Sequence, residues 1–339
     1  MDLPQGLDQI CSPALLFDAD QISVNLTAML SIVGDDPSRL RPHLKTHKCA
    51  EILRLQLDLG IRQVKCATLA EAKLAAEAGV PDVLLAYPLV GPHPARLMSL
   101  RDRFPETEFS AVVDSAEGLT ALQDATAARS DSLAVFLDLD CGMHRTGIAG
   151  GPPAVALVAA LLESDRLHFA GLHAYDGHIH ASDPAERARV FAAAFAEVAR
   201  FSELLWEKAI AVPLVVAGGS PTFRLCAEHA GRQSIPWQCS PGTPVLWDAG
   251  YATNYPDLPF SPAAFLLTRV VSRPLPDHLC LDLGHKAVAA ENPLDRRLRF
   301  PALPEARFIS QSEEHLIVST PDADRIAIGT QFLAVPQHI

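Results

Sequence analysis

The 339-residue sequence contains no run of about 18 apolar residues, the length that crosses a bilayer, and its first residues lack the basic-then-apolar pattern of a secretory signal. A soluble, cytoplasmic protein with no membrane partner is the expectation. Positive charge is also scarce. Lys plus Arg totals 28 against 40 for Asp plus Glu, a formal charge of −12, so no basic stripe is available to neutralise phosphates along a duplex. Nucleic acid is therefore not an expected partner. Cys-x-x-Cys spacing is missing as well: Cys11, Cys49, Cys66, Cys141, Cys226, Cys239 and Cys280 are odd in number and widely scattered, which argues against a disulfide framework or a zinc ribbon. Most of them read as small buried hydrophobes. No Gly-x-Gly-x-x-Gly follows the first strand candidate, so a dinucleotide-binding doubly wound sheet is disfavoured.

What is present is the composition of a packed enzyme, 49% hydrophobic and 20% charged, in a chain long enough for two domains. From about Arg39 to Thr243, short apolar runs alternate with stretches of helical period, the mark of repeated βα units. Eight strands are predicted: Leu40–Lys45, Gln63–Ala67, Asp82–Tyr87, Phe109–Asp114, Leu133–Asp140, Phe169–Tyr175, Leu214–Ala217 and Pro236–Ser240. Between them, Leu69–Gly79 has helical spacing closed by glycine, and Pro184–Lys208 opens on Asp183 and Pro184 as N-cap and first helical residue. Eight such units predict an α/β fold, a (β/α)8 TIM-type barrel. Beyond Trp247 the helical period gives way to Leu266–Val271, His278–Leu283, His315–Ser319 and Ala327–Val335, a second, smaller, mostly β domain. Ala14–Asp18 is assigned to that domain too, which gives a barrel over 20–246 and a β domain over 1–19 and 247–339.

Active sites of such barrels lie at the C-terminal ends of the strands. The first strand runs into Arg41-Pro42-His43-Leu44-Lys45-Thr46-His47-Lys48, the fifth into Asp140-Cys141-Gly142-Met143-His144-Arg145, and the sixth into His173-Ala174-Tyr175-Asp176-Gly177-His178-Ile179-His180. A lysine buried in the mouth beside other cations loses its proton more readily, which frees the amine to form a Schiff base, and Lys45 is the candidate. Gly218, Gly219, Ser220 and Thr222, ahead of a helix, join Gly242 and Thr243 on the adjacent strand in offering N–H groups and hydroxyls where the last two loops of a barrel hold a phosphate. An amine facing a phosphate cradle points to a phosphorylated aldehyde, pyridoxal 5'-phosphate. Arg145 is assigned to the cofactor ring or its phenolate, and Tyr175 to stacking or hydrogen bonding against it. His43 and His47 are assigned to holding the strand end through hydrogen bonds.

These motifs resemble the D-threonine aldolase and D-serine dehydratase family. The resemblance rests on Arg41–Lys48, on Cys66-Ala67-Thr68-Leu69-Ala70-Glu71-Ala72 and on Leu84–Gly91. It continues through 173–178, 218–222, Ser240–Tyr251 and Ser312–His315, and so covers nearly the whole chain. It implies a pyridoxal-phosphate enzyme of the alanine racemase fold type, a homodimer, Lys45 as the Schiff-base residue, and a small D-amino acid as substrate. It also implies a divalent metal, manganese-type in the aldolases and zinc in the dehydratases, with His338 in Pro336-Gln337-His338-Ile339 at the position of one ligand. The position two further on, which supplies another ligand in the family, lies beyond Ile339.

The chemistry expected from the resemblance is a metal-assisted lyase reaction on 3-hydroxy D-amino acids. If a base removes the β-hydroxyl proton, the Cα–Cβ bond breaks to glycine and an aldehyde; if Lys45 removes the α-proton and hydroxide leaves, a keto acid and ammonia result. His178 and His180, two apart on what reads as an extended segment, share a face there and are the candidates for that base or for the metal's surroundings. The dehydratase remains the alternative to the aldolase. A racemase, for which Tyr251 and Tyr255 are the available tyrosines beyond the barrel, and a pyridoxal-phosphate binding protein without turnover rank below both.

Overall fold

A computed structural model describes residues 5–339, and the chain divides into two units, 27–242 and 1–26 with 243–339. In the first, seven parallel strands follow one another in the order Gln63–Cys66, Asp82–Leu85, Glu108–Val113, Leu133–Asp140, Leu167–Ala174, Val215–Ala217 and Trp237–Cys239. Leu133–Asp140 is buried almost throughout, as expected of a parallel strand covered on both faces, and its continuous apolar run made it legible.

The first predicted strand, Leu40–Lys45, is not a regular strand. Leu40 bridges Cys239 and His43 bridges Lys65, so this segment closes the sheet by joining its last strand to its first. Arg41 N–H donates to Cys239 O at 2.9 Å, His43 N–H to Pro241 O at 3.0 Å, and Lys65 N–H to Pro42 O at 2.9 Å. Pro42 has no N–H of its own, which limits the ladder. His43 then ends it: its Nδ1 accepts from Lys45 N–H at 3.2 Å and turns the chain into a short 3-10 turn, Leu44–Thr46. Buried Arg41 secures the closure with a two-pronged ion pair to Asp82 at 2.6–2.7 Å and a bond from its Nε to Gln238 at 2.6 Å.

The helices follow their punctuation. Leu69–Glu77 begins at Thr68, which accepts from Glu71 N–H, and ends before Gly79 at φ +85°, a left-handed position that glycine adopts without strain. Pro184–Glu207 has Asp183 as N-cap and proline at its first position. No helix among the described residues is long and apolar enough to cross a membrane.

The second unit is antiparallel. Its sheet runs Leu298–Arg299, Gln331–Pro336, Ala264–Ser272, His278–Leu281, Leu316–Ser319 and Arg307–Gln311, with Ala14–Phe17 also paired to Ala264–Ser272. Its core gathers Val270, Leu279, Leu281, Leu316, Val318 and Phe332, among others. The division falls at 26/27 and 242/243, where the sequence suggests 19/20 and 246/247. Asn25 accounts for part of the difference: its side chain donates to Val245 O at 3.3 Å and Ser261 O at 2.8 Å and accepts from Ser261 N–H at 3.1 Å, which fixes residues up to 26 to this unit. All seven cysteines are free thiols, and five of them are buried.

Candidate active site

Lys45 sits on the 3-10 turn that follows the closing segment, and its amine lies 5.8 Å from the centroid of the Tyr175 ring. The Arg145 guanidinium lies 5.1 Å from the same centroid, so strand ends distant in sequence converge on one aromatic face. Lys45 is accessible rather than buried. Its amine is nevertheless held below the usual lysine range, first by the atoms crowding it and then by Arg145, against an opposing pull from Glu71.

The buried lysine is Lys65, on Gln63–Cys66, the first strand of the parallel sheet, only 2% exposed. Its amine lies 5.5 Å from the Tyr175 centroid and 3.4 Å from His173 Nε2. Burial and then the Lys45 charge push Lys65 down to about 7, although Asp176 and Asp138 oppose the shift. His173 Nδ1 is 2.7 Å from Asp138 Oδ1. Burial raises Asp138, but its bonds from His173 and Thr146 and the nearby cations outweigh that, so the carboxylate is held ionised. An ionised acceptor places the proton on His173 Nδ1 and leaves Nε2 as the acceptor facing Lys65.

The glycine turn adjoins the same ring. A Cβ on Gly219 would lie 3.4 Å from Tyr175 Cε2 and 3.2 Å from Asp176 Oδ1. Gly218 has φ +83°, and a Cβ there would meet Cys226 Sγ at 3.1 Å, so both positions are kept small by their neighbours. The turn is braced by Gly219 N–H to Thr222 Oγ1 at 3.3 Å, Thr222 Oγ1 to Asp176 Oδ2 at 2.6 Å and Gly242 N–H to Ser220 Oγ at 3.3 Å. It opens the helix Phe223–Ala230, whose N-terminus favours an anion. Gly242 in turn abuts the lysine turn, where a Cβ would come within 3.0 Å of Thr46 Oγ1. Burial pushes the Asp176 carboxyl up to about 6, and its Oδ1 is buried without a hydrogen-bond partner.

His43 and His47 are buried, and both are lowered, burial being the first cause in each; His47 falls to about 4. Neutral imidazoles fit their roles, because His43 Nδ1 accepts from Lys45 N–H and His47 Nδ1 from Cys49 N–H. His178 and His180 do not lie on an extended segment. Ile179 N–H bonds back to Asp176 O and makes a turn, so Ile179 is buried, His178 half-buried and His180 exposed. His178 approaches the Gly142 turn, and its Nδ1 is buried with no partner. Burial lowers its pKa.

Thr243 belongs to the other unit, where it opens the turn Thr243–Val245. His338 is there too, with Nδ1 in short contact with Glu291 Oε1. Among the described residues no group of three or more His, Cys, Asp or Glu side chains is placed to hold a metal ion. The residues around His338 therefore do not fit the implied metal centre.

Residues 17–233 match the family described as alanine racemase, N-terminal domain, and residues 263–339 match a putative serine dehydratase domain. The chain belongs to the alanine racemase N-terminal domain family. Within it, the chain falls with the D-threonine aldolase and D-serine dehydratase-like proteins. It is 30% identical to a D-threonine aldolase of Arthrobacter sp. over 98% of this chain and 86% of that one, and 27% identical to a 3-hydroxy-D-aspartate aldolase of Paracoccus denitrificans over 99% and 88%. The crystal structure of D-threonine aldolase from Filomicrobium marinum superposes with a TM-score of 0.89 at 30% identity, covering 98% of this chain and 88% of that one. A D-threo-3-hydroxyaspartate dehydratase from Delftia sp. HT23, at 22% identity and a TM-score of 0.83 over 98% and 92%, shares the fold. The chain is accordingly an enzyme of the lyase class, with the barrel and antiparallel sheet of this family.

Of the site residues expected from the sequence, Lys45, Arg145, Tyr175, Gly218, Gly219, Ser220, Thr222 and Gly242 all lie within the barrel unit. Sequence reasoning does not reach the buried group of Lys65, Asp138, His173 and Asp176. The signal available is a lysine inside the predicted strand Gln63–Ala67, because a barrel strand sends alternate side chains to its interior.

Proposed function

We propose that this protein is a pyridoxal-phosphate lyase of 3-hydroxy D-amino acids that cleaves D-threonine to glycine and acetaldehyde. The observation that carries the reading is the convergence on Tyr175 of an accessible, acid-shifted Lys45 amine, the Arg145 guanidinium and a glycine turn at a helix N-terminus. The donor set fits a flat aldehyde carrying a phosphate: Lys45 for the aldehyde, Tyr175 and Arg145 for the ring, and Gly218 to Thr222 with Gly242 for the phosphate. Bound there, pyridoxal phosphate supplies the electron sink for the pair released at the substrate's α-carbon. Lys45, the accessible amine with a lowered pKa beside the Tyr175 ring, would hold the aldehyde group. His178 takes the β-hydroxyl proton; it is neutral, and its unpartnered Nδ1 favours it over exposed His180.

Product analysis tests the reading. The purified chain with pyridoxal phosphate, given D-threonine or D-serine with and without manganese or zinc, is expected to yield glycine and acetaldehyde from D-threonine. Keto acid and ammonia in their place assign the dehydratase. Replacing His178 by alanine is expected to lower kcat by about 10²–10⁴-fold, the worth of a positioned acid or base, with the imine absorbance unchanged. In the unsubstituted enzyme the acid limb of kcat should lie below the ordinary histidine value of about 6.5, because burial lowers His178 and only its neutral form accepts a proton. An unchanged kcat in His178→Ala removes the assignment.

A further inference from the structure

Thr222 stands in the glycine turn that fits a phosphate, yet the one proton of its hydroxyl is already committed. Thr222 Oγ1 donates to Asp176 Oδ2 at 2.6 Å and accepts from Gly219 N–H at 3.3 Å. A hydroxyl has one proton and two lone pairs, so while Asp176 is ionised Thr222 has nothing to give an anion. Asp176 is only 2% exposed. Its Oδ1 is buried without a hydrogen-bond partner and lies 3.2 Å from the place a Cβ on Gly219 would take, so it faces the turn. The groups that share its field are Lys65 on Gln63–Cys66, the adjacent Tyr175, Cys141 just beyond Leu133–Asp140, and Cys226 on Phe223–Ala230. Of these only Lys65 brings a cation, and its amine meets His173, with Asp138 nearby.

We propose that Asp176 is the positioning residue for the Thr222 hydroxyl and that the turn takes up a proton together with its phosphate: the protonated carboxyl donates to Thr222 Oγ1 and frees the Thr222 O–H for the anion. The inference rests on the pyridoxal-phosphate reading and concerns its phosphate end. The proton comes from solvent and forms an O–H bond on Asp176 Oδ2. The Asp176–Thr222 hydrogen bond then reverses direction, and Thr222 still accepts from Gly219 N–H through its second lone pair. Oδ1 becomes the carbonyl oxygen of a neutral acid, which costs less to bury unpaired than a carboxylate oxygen does. A carboxylate beside a phosphate would also repel it, and the proton removes that repulsion. Burial by itself pushes the Asp176 carboxyl up to about 6, against the pull of Thr222 and Lys65, and a neighbouring phosphate raises it further. Above that value the carboxyl has lost its proton when the turn is empty and keeps it when phosphate is held, so affinity falls as pH rises between the two values.

The test uses pyridoxine 5'-phosphate, an alcohol that forms no imine with Lys45, so the phosphate end is read without it. Titration calorimetry of the full chain in buffers of different ionisation heat counts the protons exchanged on binding. At pH about 7.5 the unsubstituted protein is expected to take up close to one proton, and to bind roughly five- to tenfold more weakly at pH about 8.5. Asp176→Asn, whose amide donates to Thr222 at every pH, should lose that uptake and bind at pH about 8.5 at least as tightly as the unsubstituted protein. The ligand's own ionisations are common to both proteins, so the difference reads the carboxyl. A merely structural brace would leave the proton count unchanged and weaken binding in the asparagine variant at every pH. No uptake by the unsubstituted protein, or equal uptake in Asp176→Asn, overturns the proposal. Should Asp176→Asn not fold, the carboxyl-carbon NMR titration of the unsubstituted chain decides: an Asp176 value raised by the ligand supports the proposal, and an unmoved one removes it. If inorganic phosphate binds and pyridoxine 5'-phosphate does not, the cofactor reading fails, and the proton count with inorganic phosphate judges Asp176. Binding of neither overturns both.

Discussion

Replacing Lys45 by alanine is expected to abolish imine formation and to reduce lyase turnover by more than about 10³-fold, the scale on which loss of a covalent nucleophile shows when its neighbours cannot substitute. The size follows from the geometry. Lys65 lies nearly as close to Tyr175 as Lys45 does, but it is 2% exposed and engaged with His173, whereas Lys45 is accessible on its turn. The folded structure should survive, because Lys45 anchors its turn through its backbone N–H to His43, which alanine retains. Thermal unfolding within a few degrees of the unsubstituted protein would therefore accompany the loss. Retention of more than a tenth of the activity would show that another amine, Lys65 first, carries the aldehyde.

Gly171→Ala is expected to be the most damaging small substitution in the barrel. Gly171 lies in Leu167–Ala174 at φ +136°, where the strand shifts register against Leu133–Asp140, and an added Cβ would lie 1.9 Å from Leu214 O and 2.8 Å from Leu214 C. The obstacle is backbone, and that same carbonyl already accepts from Leu172 N–H at 2.9 Å, so it has little room to retreat. Strain at a conformation reserved for glycine and overlap in a packed interior together suggest a loss of about 3–5 kcal/mol. Moving Leu214 also displaces Val215–Ala217 and with it the Gly218 turn, so cofactor retention should fall alongside stability. Denaturant titration measures the first effect, and a loss below about 1 kcal/mol would contradict it.

Different residues explain why the two units were unequally legible. Leu133–Asp140 and Ala264–Ser272 announce themselves because burial demands apolar side chains. Arg307–Gln311 went unseen: it pairs on one side only, to Leu316–Ser319, and its exposed residues carry no alternation. The His178 and His180 assignment assumed that the strand went on, but a single hydrogen bond from Ile179 to Asp176 ends it and sends the two imidazoles into different surroundings. Leu40–Lys45 failed as a strand for a related reason, since the His43 side chain captures the Lys45 amide and converts the strand end into a turn.

By itself the sequence determined the alternation of strands and helices, the family, the Lys45 motif and the glycine turn. These are local properties, set by the period of apolar residues, by caps such as Asp183 and Thr68, and by motifs of neighbouring residues. Only the tertiary structure decided which lysine is buried and which groups share its charge. Lys65, Asp138 and His173 lie far apart in the chain and meet because the closed sheet directs alternate side chains of successive strands into one interior. Their ionisation depends on distances between strands and on exclusion of water, and neither is written in any single stretch of sequence.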